Sequence, residues 1–232
     1  MRTVKVEPPA EIGVHEGLAF ALFVPATAPI GSVVVLHGAG SCKESHFDFA
    51  RACRADGLAA VCFDMRGPGE SEGALDHRAV SDVASIAGLA RERVGADAVA
   101  LRGSSMGGYL ALVAAAAVGA RAVVAICPAS AAGMARGLRE RRFEFRADLE
   151  GLGALLASHD ELRAAEELDV PLLLLHAEGD EVVPVEHSRA LHVSTAGSRL
   201  VAVPGGHHRS VQHDPELQAL SIRFIREALA HD

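Results

Sequence analysis

Short apolar runs alternate with helix-length segments along most of the chain. Several of these runs contain no polar residue, which is typical of strands that are covered on both faces of a sheet. The run at residues 32–36 is rich in valine and ends at a glycine-bearing turn. The same pattern predicts further strands at residues 58–63, 98–101, 122–126, 170–175 and 200–203.

The segments between the runs have the length and composition of helices. We predict helices at residues 44–56, 78–93, 109–118 and 216–230, the last with its leucines near helical spacing. Buried strands that alternate with helices indicate an α/β protein, with a mostly parallel central sheet and helices on both faces. The N-terminal segments 4–6 and 18–25 predict an antiparallel hairpin at one edge of that sheet.

Residues 129–167 interrupt this alternation. The segment is helical in composition and rich in arginine, so we predict a small helical insertion that lies as a lid over the strand ends. No linker-like stretch divides the chain, and we expect residues 1–232 to form a single domain. We expect the insertion's arginines to form a solvated face, with contact to an anionic substrate as the alternative; they are Arg139, Arg141, Arg142 and Arg146.

Composition narrows the class of function. Half of the 232 residues are apolar, which excludes intrinsic disorder, and the net charge is −8. Without a basic stripe, we expect neither nucleic acid nor a membrane surface as a partner.

Residues 1–7 do not resemble a signal peptide, and the four cysteines form no C-x-x-C pair. We therefore expect a cytoplasmic protein whose cysteines pack as small hydrophobic residues; whether it forms a homodimer is open.

A candidate nucleophile lies between a predicted strand and a predicted helix. Residues 103–107 read Gly-Ser-Ser-Met-Gly and match the pattern G-x-S-x-G, centred on Ser105. A serine on such a sharp turn has strained backbone angles, and the flanking glycines let strand and helix approach each other. The turn lifts the hydroxyl above the sheet, close to the unpaired N–H groups that begin the helix.

Two backbone amides are candidates for an oxyanion hole. Residues 37–40 read His-Gly-Ala-Gly and follow the first strong strand, where a turn can aim an N–H at the same point as the amide of Met106. We therefore predict the amides of Ala39 and Met106 as the two donors. We expect His37 to stabilise this loop.

A serine nucleophile needs a base, and the base needs a carboxylate that orients it. The strand that ends near residue 175 leads to Glu178, Asp180 and Glu181, of which Asp180 follows a glycine at a turn. The last strand leads to a glycine loop with His207 and His208. The chain order Ser, Asp, His differs from the orders of the trypsin and subtilisin architectures.

With these motifs in that order, the sequence resembles the α/β-hydrolases, in particular the compact bacterial serine esterases and peptidase-like members. The stretch 64–71 is similar to the family's D-x-R-G-x-G-x-S loop, and residues 179–184 are similar to its acid turn. The family's G-x-x-H ending selects His208 as the base, whereas a shorter G-x-H ending would select His207. Related dienelactone hydrolases carry cysteine at the elbow, where this chain has Ser105; we expect Cys127 to be structural.

The resemblance implies a serine hydrolase that cleaves small carboxylic esters through Ser105, His208 and Asp180, with no metal or organic cofactor. His207, His208 and His213 lack a carboxylate or cysteine at metal-ligand spacing, so we expect no metal site there. Several alternatives remain for a small-molecule acyl substrate: an aminopeptidase-like amidase, a thioesterase and a lipid deacylase. A hydrolase-fold protein that binds a ligand without catalysis is the remaining alternative.

Overall fold

Eight strands form one sheet in the computed structural model, which describes residues 6–230. In chain order the strands are β1 (Glu11–His15), β2 (Leu18–Phe23), β3 (Ser32–Leu36), β4 (Ala59–Phe63), β5 (Val99–Ser104), β6 (Ala122–Ile126), β7 (Leu172–Ala177) and β8 (Arg199–Val203). Their spatial order is β1-β2-β4-β3-β5-β6-β7-β8. β2 pairs antiparallel with β1 and β4, and every pairing from β4 to β8 is parallel.

The helices follow the predicted pattern closely. They are α1 (Phe47–Ala55), α2 (Ala79–Val94), α3 (Met106–Val118), α4 (Ala131–Arg139), α5 (Leu149–Ser158), α6 (Glu161–Glu166), α7 (Val185–Ser194) and α8 (Pro215–Ala230). Two short 3-10 turns, Lys43–His46 and Val211–His213, precede α1 and α8. The predicted helix at 44–56 is therefore a 3-10 turn that continues as α1, and α7 had no predicted counterpart.

Two hydrophobic clusters cover the two faces of the sheet. Val34 belongs to the cluster that includes residues of α2 and α3, whereas its neighbours Val33 and Val35 belong to the cluster formed with α1 and α8. This alternation follows from the period of two along a strand. The predicted α/β-hydrolase architecture, a mostly parallel sheet with helices on both faces, is thus confirmed.

The N-terminal hairpin differs from its prediction. β2 lies within the expected segment, and its hairpin partner is β1. Val6 is outside any strand, and residues 4 and 5 lie outside the described part of the chain. The sequence pattern did not predict β1, because it is an edge strand with Ile12 and Val14 exposed and its apolar residues do not mark a buried face. Glu16 and Gly17 form the turn, both with positive φ, as a two-residue hairpin requires.

The helical insertion comprises α4, α5 and α6, which lie between β6 and β7. Each of these helices begins at a capping side chain, namely Ser130, Asp148 and Asp160. The hydroxyl of Tyr109 on α3 donates to the carbonyl of His159 at 2.8 Å, which fastens the end of α5 to the body of the protein. None of the helices within residues 6–230 combines the length and apolar character needed to cross a bilayer.

Candidate active site

Ser105 occupies a strained turn between β5 and α3. Its φ of 53° and ψ of −118° fall in a region that residues with a side chain rarely adopt. The glycines of the motif have a steric cause. A Cβ on Gly103 would overlap the carbonyl of Gly107, and one on Gly107 would overlap the carbonyl of Leu36. Only glycine lets the three chain segments approach this closely, and the strained serine is held at their meeting point.

The turn after β3 lies against this elbow. Gly38 packs closely enough that an added Cβ would lie 3.3 Å from the Cβ of Ser105. His37 anchors the turn: its Nδ1 donates to the Gly38 carbonyl at 2.8 Å, and its Nε2 accepts from the Met65 amide at 3.0 Å. We assign this tautomer from the partners, and burial lowers the pKa of His37, which favours the same neutral form. The role expected of His37 thus agrees with its contacts.

The two predicted oxyanion donors belong to residues that line one cavity together with Ser105 and His208. Met106 is the first residue of α3, so its N–H has no acceptor within the helix. Ala39 is solvent-exposed at the rim of the same cavity. Both residues therefore border the space into which Ser105 opens.

Asp180 is held in the turn that follows β7. Its Oδ1 accepts from the amides of Val182 and Val183 at 2.8 Å each, and its Oδ2 lies 2.7 Å from Nδ1 of His208. Burial opposes ionisation of this fully buried side chain, but the Val183 amide and His208 outweigh it and lower the Asp180 pKa. The carboxyl group is therefore an anion that faces the histidine.

The loop after β8 presents His208 to this carboxylate. The amide of Gly179 donates to the carbonyl of Gly205 at 2.9 Å, which joins the acid turn to the histidine loop. A Cβ on Gly179 would lie 2.5 Å from the Gly206 carbonyl oxygen, so the approach requires glycine. His207 is exposed, and its Nδ1 accepts from the amide of Arg209 at 3.3 Å. Of the two candidate histidines, His208 is the one that contacts Asp180.

A second histidine supports the acid turn and was not predicted. His176 is fully buried at the end of β7, where its Nε2 donates to the Val183 carbonyl at 2.9 Å and lies 3.3 Å from Oδ2 of Asp180. Its Nδ1 accepts from the hydroxyl of Ser188 at 2.7 Å. Burial lowers the His176 pKa and favours the neutral ring. Its only signal in the sequence is a position four residues before Asp180, at a strand end.

The chemistry of one candidate metal cluster disfavours a metal ion. Within residues 6–230, the ligand atoms of Cys127, His176 and Asp180 lie within 4.8 Å of one another. However, the His176 nitrogen that points to this cluster carries the proton donated to Val183. Burial also raises the Cys127 pKa to about 12, so the sulfur is a thiol and not the thiolate that metals prefer. The loop histidines 207, 208 and 213 do not form such a group in the described part of the chain.

Asp64 and Arg66, in the loop similar to D-x-R-G-x-G-x-S, make structural contacts. Asp64 is fully buried and accepts from both the amide and Nζ of Lys43, at 2.7 and 2.9 Å. Burial disfavours the Lys43 charge, but hydrogen bonds to Glu70 and Asp64 raise its pKa overall. Arg66 forms an ion pair with Asp82 at 2.9 Å. These contacts hold the loop against the 3-10 turn that contains Lys43 and against α2.

A cavity of about 420 Å³ opens above Ser105 and His208. The helical insertion contributes much of its wall, and the remainder comes from the acid turn, the nucleophile turn and the loops after β3 and β8. The lining residues are Ala39, Ser105, Met106, Ala129, Ser130, Gly133, Met134, Arg136, Gly137, Arg142, Phe143, Val182, Val183, Pro184 and His208. Arg142 was among the arginines predicted to be solvated, and it is both exposed and part of this wall. Arg136 was not considered from the sequence.

Comparison with known protein families is consistent with this geometry. A family model described as "alpha/beta hydrolase fold" matches residues 31–152, more than half of the chain. A second model, described as "TAP-like protein", matches residues 156–229. Two curated relatives, both called "Uncharacterized protein YfhR", come from Escherichia coli O157:H7 and strain K12. Each is 28% identical over 219 residues, which covers 88% of this chain and 73% of the relative.

Solved structures share the fold at low sequence identity. Est1E from Butyrivibrio proteoclasticus, in its complex with ferulic acid, has a TM-score of 0.73 at 20% identity, over 95% of this chain and 98% of that one. A monoacylglycerol lipase of Paleococcus ferrophilus has a TM-score of 0.70 at 22% identity, over 93% and 99% of the two chains. At these identities the likeness concerns the fold alone.

Proposed function

This chain belongs to the α/β-hydrolase family, and on that basis we propose that it is a serine hydrolase that cleaves small carboxylic esters. One observation carries the proposal. The strained Ser105 and the Asp180-bonded His208 line the same cavity, although 103 positions separate them in the sequence. Backbone strain at a serine and a buried carboxylate held against a mostly buried histidine are both features that cluster at functional sites.

In this mechanism, Oγ of Ser105 attacks the ester carbonyl carbon while Nε2 of His208 takes the hydroxyl proton. Asp180 keeps the other imidazole nitrogen protonated and stabilises the imidazolium that forms. The carbon–oxygen bond to the leaving alcohol then breaks, and His208 returns the proton to that alcohol. An acyl group remains on Ser105.

Water completes the cycle. His208 removes a proton from water, the resulting hydroxide attacks the acyl-enzyme, and the proton returns to Ser105 as the acid leaves. In both halves the amides of Ala39 and Met106 hold the negative carbonyl oxygen. Removal of one such donor typically lowers turnover by about 10²–10³-fold.

The size of the cavity supports a small substrate. A volume of about 420 Å³ is at the lower end of ordinary ligand sites, and the methionines, Phe143 and the acid-turn valines give it an apolar wall. We propose a small-molecule acyl substrate for this space. The free cysteines Cys42, Cys53, Cys62 and Cys127 support a reducing compartment, and cytoplasmic location remains a prediction.

The direct test is hydrolysis of 4-nitrophenyl esters from acetate to palmitate by the wild type and by Ser105→Ala. The proposal predicts activity on the short esters, with at least about 10³-fold loss in the variant. The exposed Ser81→Ala variant, on α2, serves as the matched control for loss of a hydroxyl.

Each other outcome selects an alternative. A preference for long chains would indicate a lipid deacylase. Activity confined to amides or thioesters would replace the ester proposal while keeping the triad. A folded protein that hydrolyses none of these substrates would indicate a binding protein, and the proposal would be wrong.

A further inference from the structure

The charged side chains that line the cavity are all of one sign, positive. The whole chain carries 30 acidic and 22 basic residues, yet the lining contains two arginines, Arg136 and Arg142, and neither aspartate nor glutamate among its described residues. Two acids of the acid turn contact His208, Asp180 at its Nδ1 at 2.7 Å and Glu181 at its amide at 3.3 Å, and neither lines the cavity. A bound molecule with a negative group would therefore meet attraction at the insertion side.

The two arginines differ in their existing partners. Nε of Arg142 forms an ion pair with Glu140 at 2.6 Å, which offsets much of its charge. Arg136 lies on α4 and is exposed, and no carboxylate of the described residues pairs with its guanidinium. Arg136 is thus the uncompensated cation at the cavity.

Arg136 lies on α4 between two glycines that are closely packed: a Cβ on Gly133 would lie 2.9 Å from Oγ of Ser130, and one on Gly137 would lie 3.1 Å from the Phe143 ring. Gly133 and Gly137 are one helical turn apart, and both line the cavity together with Arg136. The helix is fixed at its start, where the hydroxyl of Ser130 accepts from the Gly133 amide at 3.0 Å. Arg139, on the same helix, lines a different groove with Leu149.

We propose that the substrate is an ester that carries a carboxylate away from the scissile bond, and that Arg136 binds this carboxylate. This inference rests on the proposed function, because it places the ester carbonyl at Ser105. The planar guanidinium can donate two parallel hydrogen bonds to a carboxylate, which fixes its orientation as well as its charge. Arg136 is a specificity-determining residue and takes no part in bond making.

The test compares two substrates that differ by one charge: the mono-4-nitrophenyl ester of adipic acid, and the same compound with its free carboxyl methylated. We measure kcat/KM for both with the wild type, Arg136→Gln, Arg136→Lys and Arg139→Gln. The wild type is expected to prefer the ester that carries the carboxylate about three- to fivefold, as for an exposed charge pair. Arg136→Gln brings the ratio near one, and Arg136→Lys restores part of it.

Arg139→Gln is the matched control, because it removes the same charge from the same helix at a site outside the cavity. It is expected to leave the preference intact. Added salt is expected to reduce the preference of the wild type, since an exposed charge pair is screened. Equal rates on the two esters, a preference retained in Arg136→Gln, or one lost equally in Arg139→Gln would each overturn the inference.

Failure of the ester chemistry is distinguishable from failure of the anion site. If the wild type hydrolyses neither ester, the proposed function is wrong, and binding of adipate to Ser105→Ala decides the anion site by calorimetry. Saturable binding that is lost on adding Arg136→Gln would support the site by itself. Absence of binding, or binding unchanged by Arg136→Gln, would overturn it.

Discussion

Nδ1 of His208 lies 2.7 Å from Oδ2 of Asp180, across 28 positions of the sequence. The contact joins the loops after β7 and β8, which are neighbouring parallel strands. Because the carboxyl ends of parallel strands meet at one sheet edge, the turns after β3 and β5 deliver Ala39 and Ser105 to the same place. The candidate site is therefore a product of strand order as much as of the motifs.

The adjacent histidines provide a matched pair of variants. We expect His208→Ala to lower kcat for a short-chain ester by at least about 10³-fold, because the base that activates Ser105 is lost. His207→Ala removes the exposed imidazole of the preceding residue and should change kcat by less than about threefold. Steady-state kinetics on both proteins checks this; comparable losses in the two variants would contradict the assignment of the base.

The lowered pKa of Asp180 predicts a pH-dependent stability. Its ionised form is favoured in the folded state, so its contribution is complete above the ordinary carboxyl pKa, near 3.9, and disappears as the pH falls through the lower folded value. The loss of unfolding free energy caused by Asp180→Asn should therefore be larger at pH 6 than at pH 3. Urea unfolding of the wild type and of Asp180→Asn at both pH values measures this loss. A penalty that grows on acidification would show that the carboxyl is not held ionised.

The strained backbone at Ser105 predicts that Ser105→Gly is more stable than Ser105→Ala. Ser105→Gly and Ser105→Ala should both be inactive, but glycine adopts positive φ without penalty. We expect the glycine variant to exceed the alanine variant by about 1 kcal/mol in free energy of unfolding, after the entropy cost of glycine is included. Urea denaturation of the two inactive proteins compares them directly. An alanine variant as stable as the glycine variant would mean that the turn stores no strain.

Lys43 and Asp64 form a buried ion pair outside the proposed chemistry. Lys43→Met leaves the fully buried Asp64 carboxylate without its cation and should lower the free energy of unfolding by about 3–5 kcal/mol. Adding Asp64→Asn removes the unpaired charge and should recover part of that loss. Denaturant unfolding of the single and double variants tests the coupling. Purely additive effects would argue against a direct interaction.

The interior of the fold was predictable because its signals are strong. The runs that became β3, β4 and β6 are apolar without interruption, since helices cover both of their faces. β1 was not found, because an edge strand that exposes Ile12 and Val14 follows no buried-face pattern. α7 was missed for a similar reason: only part of one face is buried, and its polar residues resemble a loop.

The candidate site was predictable to the extent that turn chemistry is local. The glycines around Ser105, Asp180 and His208 are visible in the sequence because the backbone needs them at close approaches. His176 contacts the acid turn that follows it in the chain, and Arg136 reaches the cavity through the fold of the helical insertion. A buried histidine at a strand end or an arginine on an exposed helix has no local signature, so neither role could be derived before the structure.

Covalent labelling by a fluorophosphonate tests the central claim most directly. The account predicts stoichiometric labelling that mass spectrometry maps to Ser105 and not to the neighbouring Ser104, with labelling abolished in Ser105→Ala and slowed by at least about 10²-fold in His208→Ala. Folded protein that remains unlabelled, or a label on any other residue, would contradict the claim that Ser105 is an activated nucleophile.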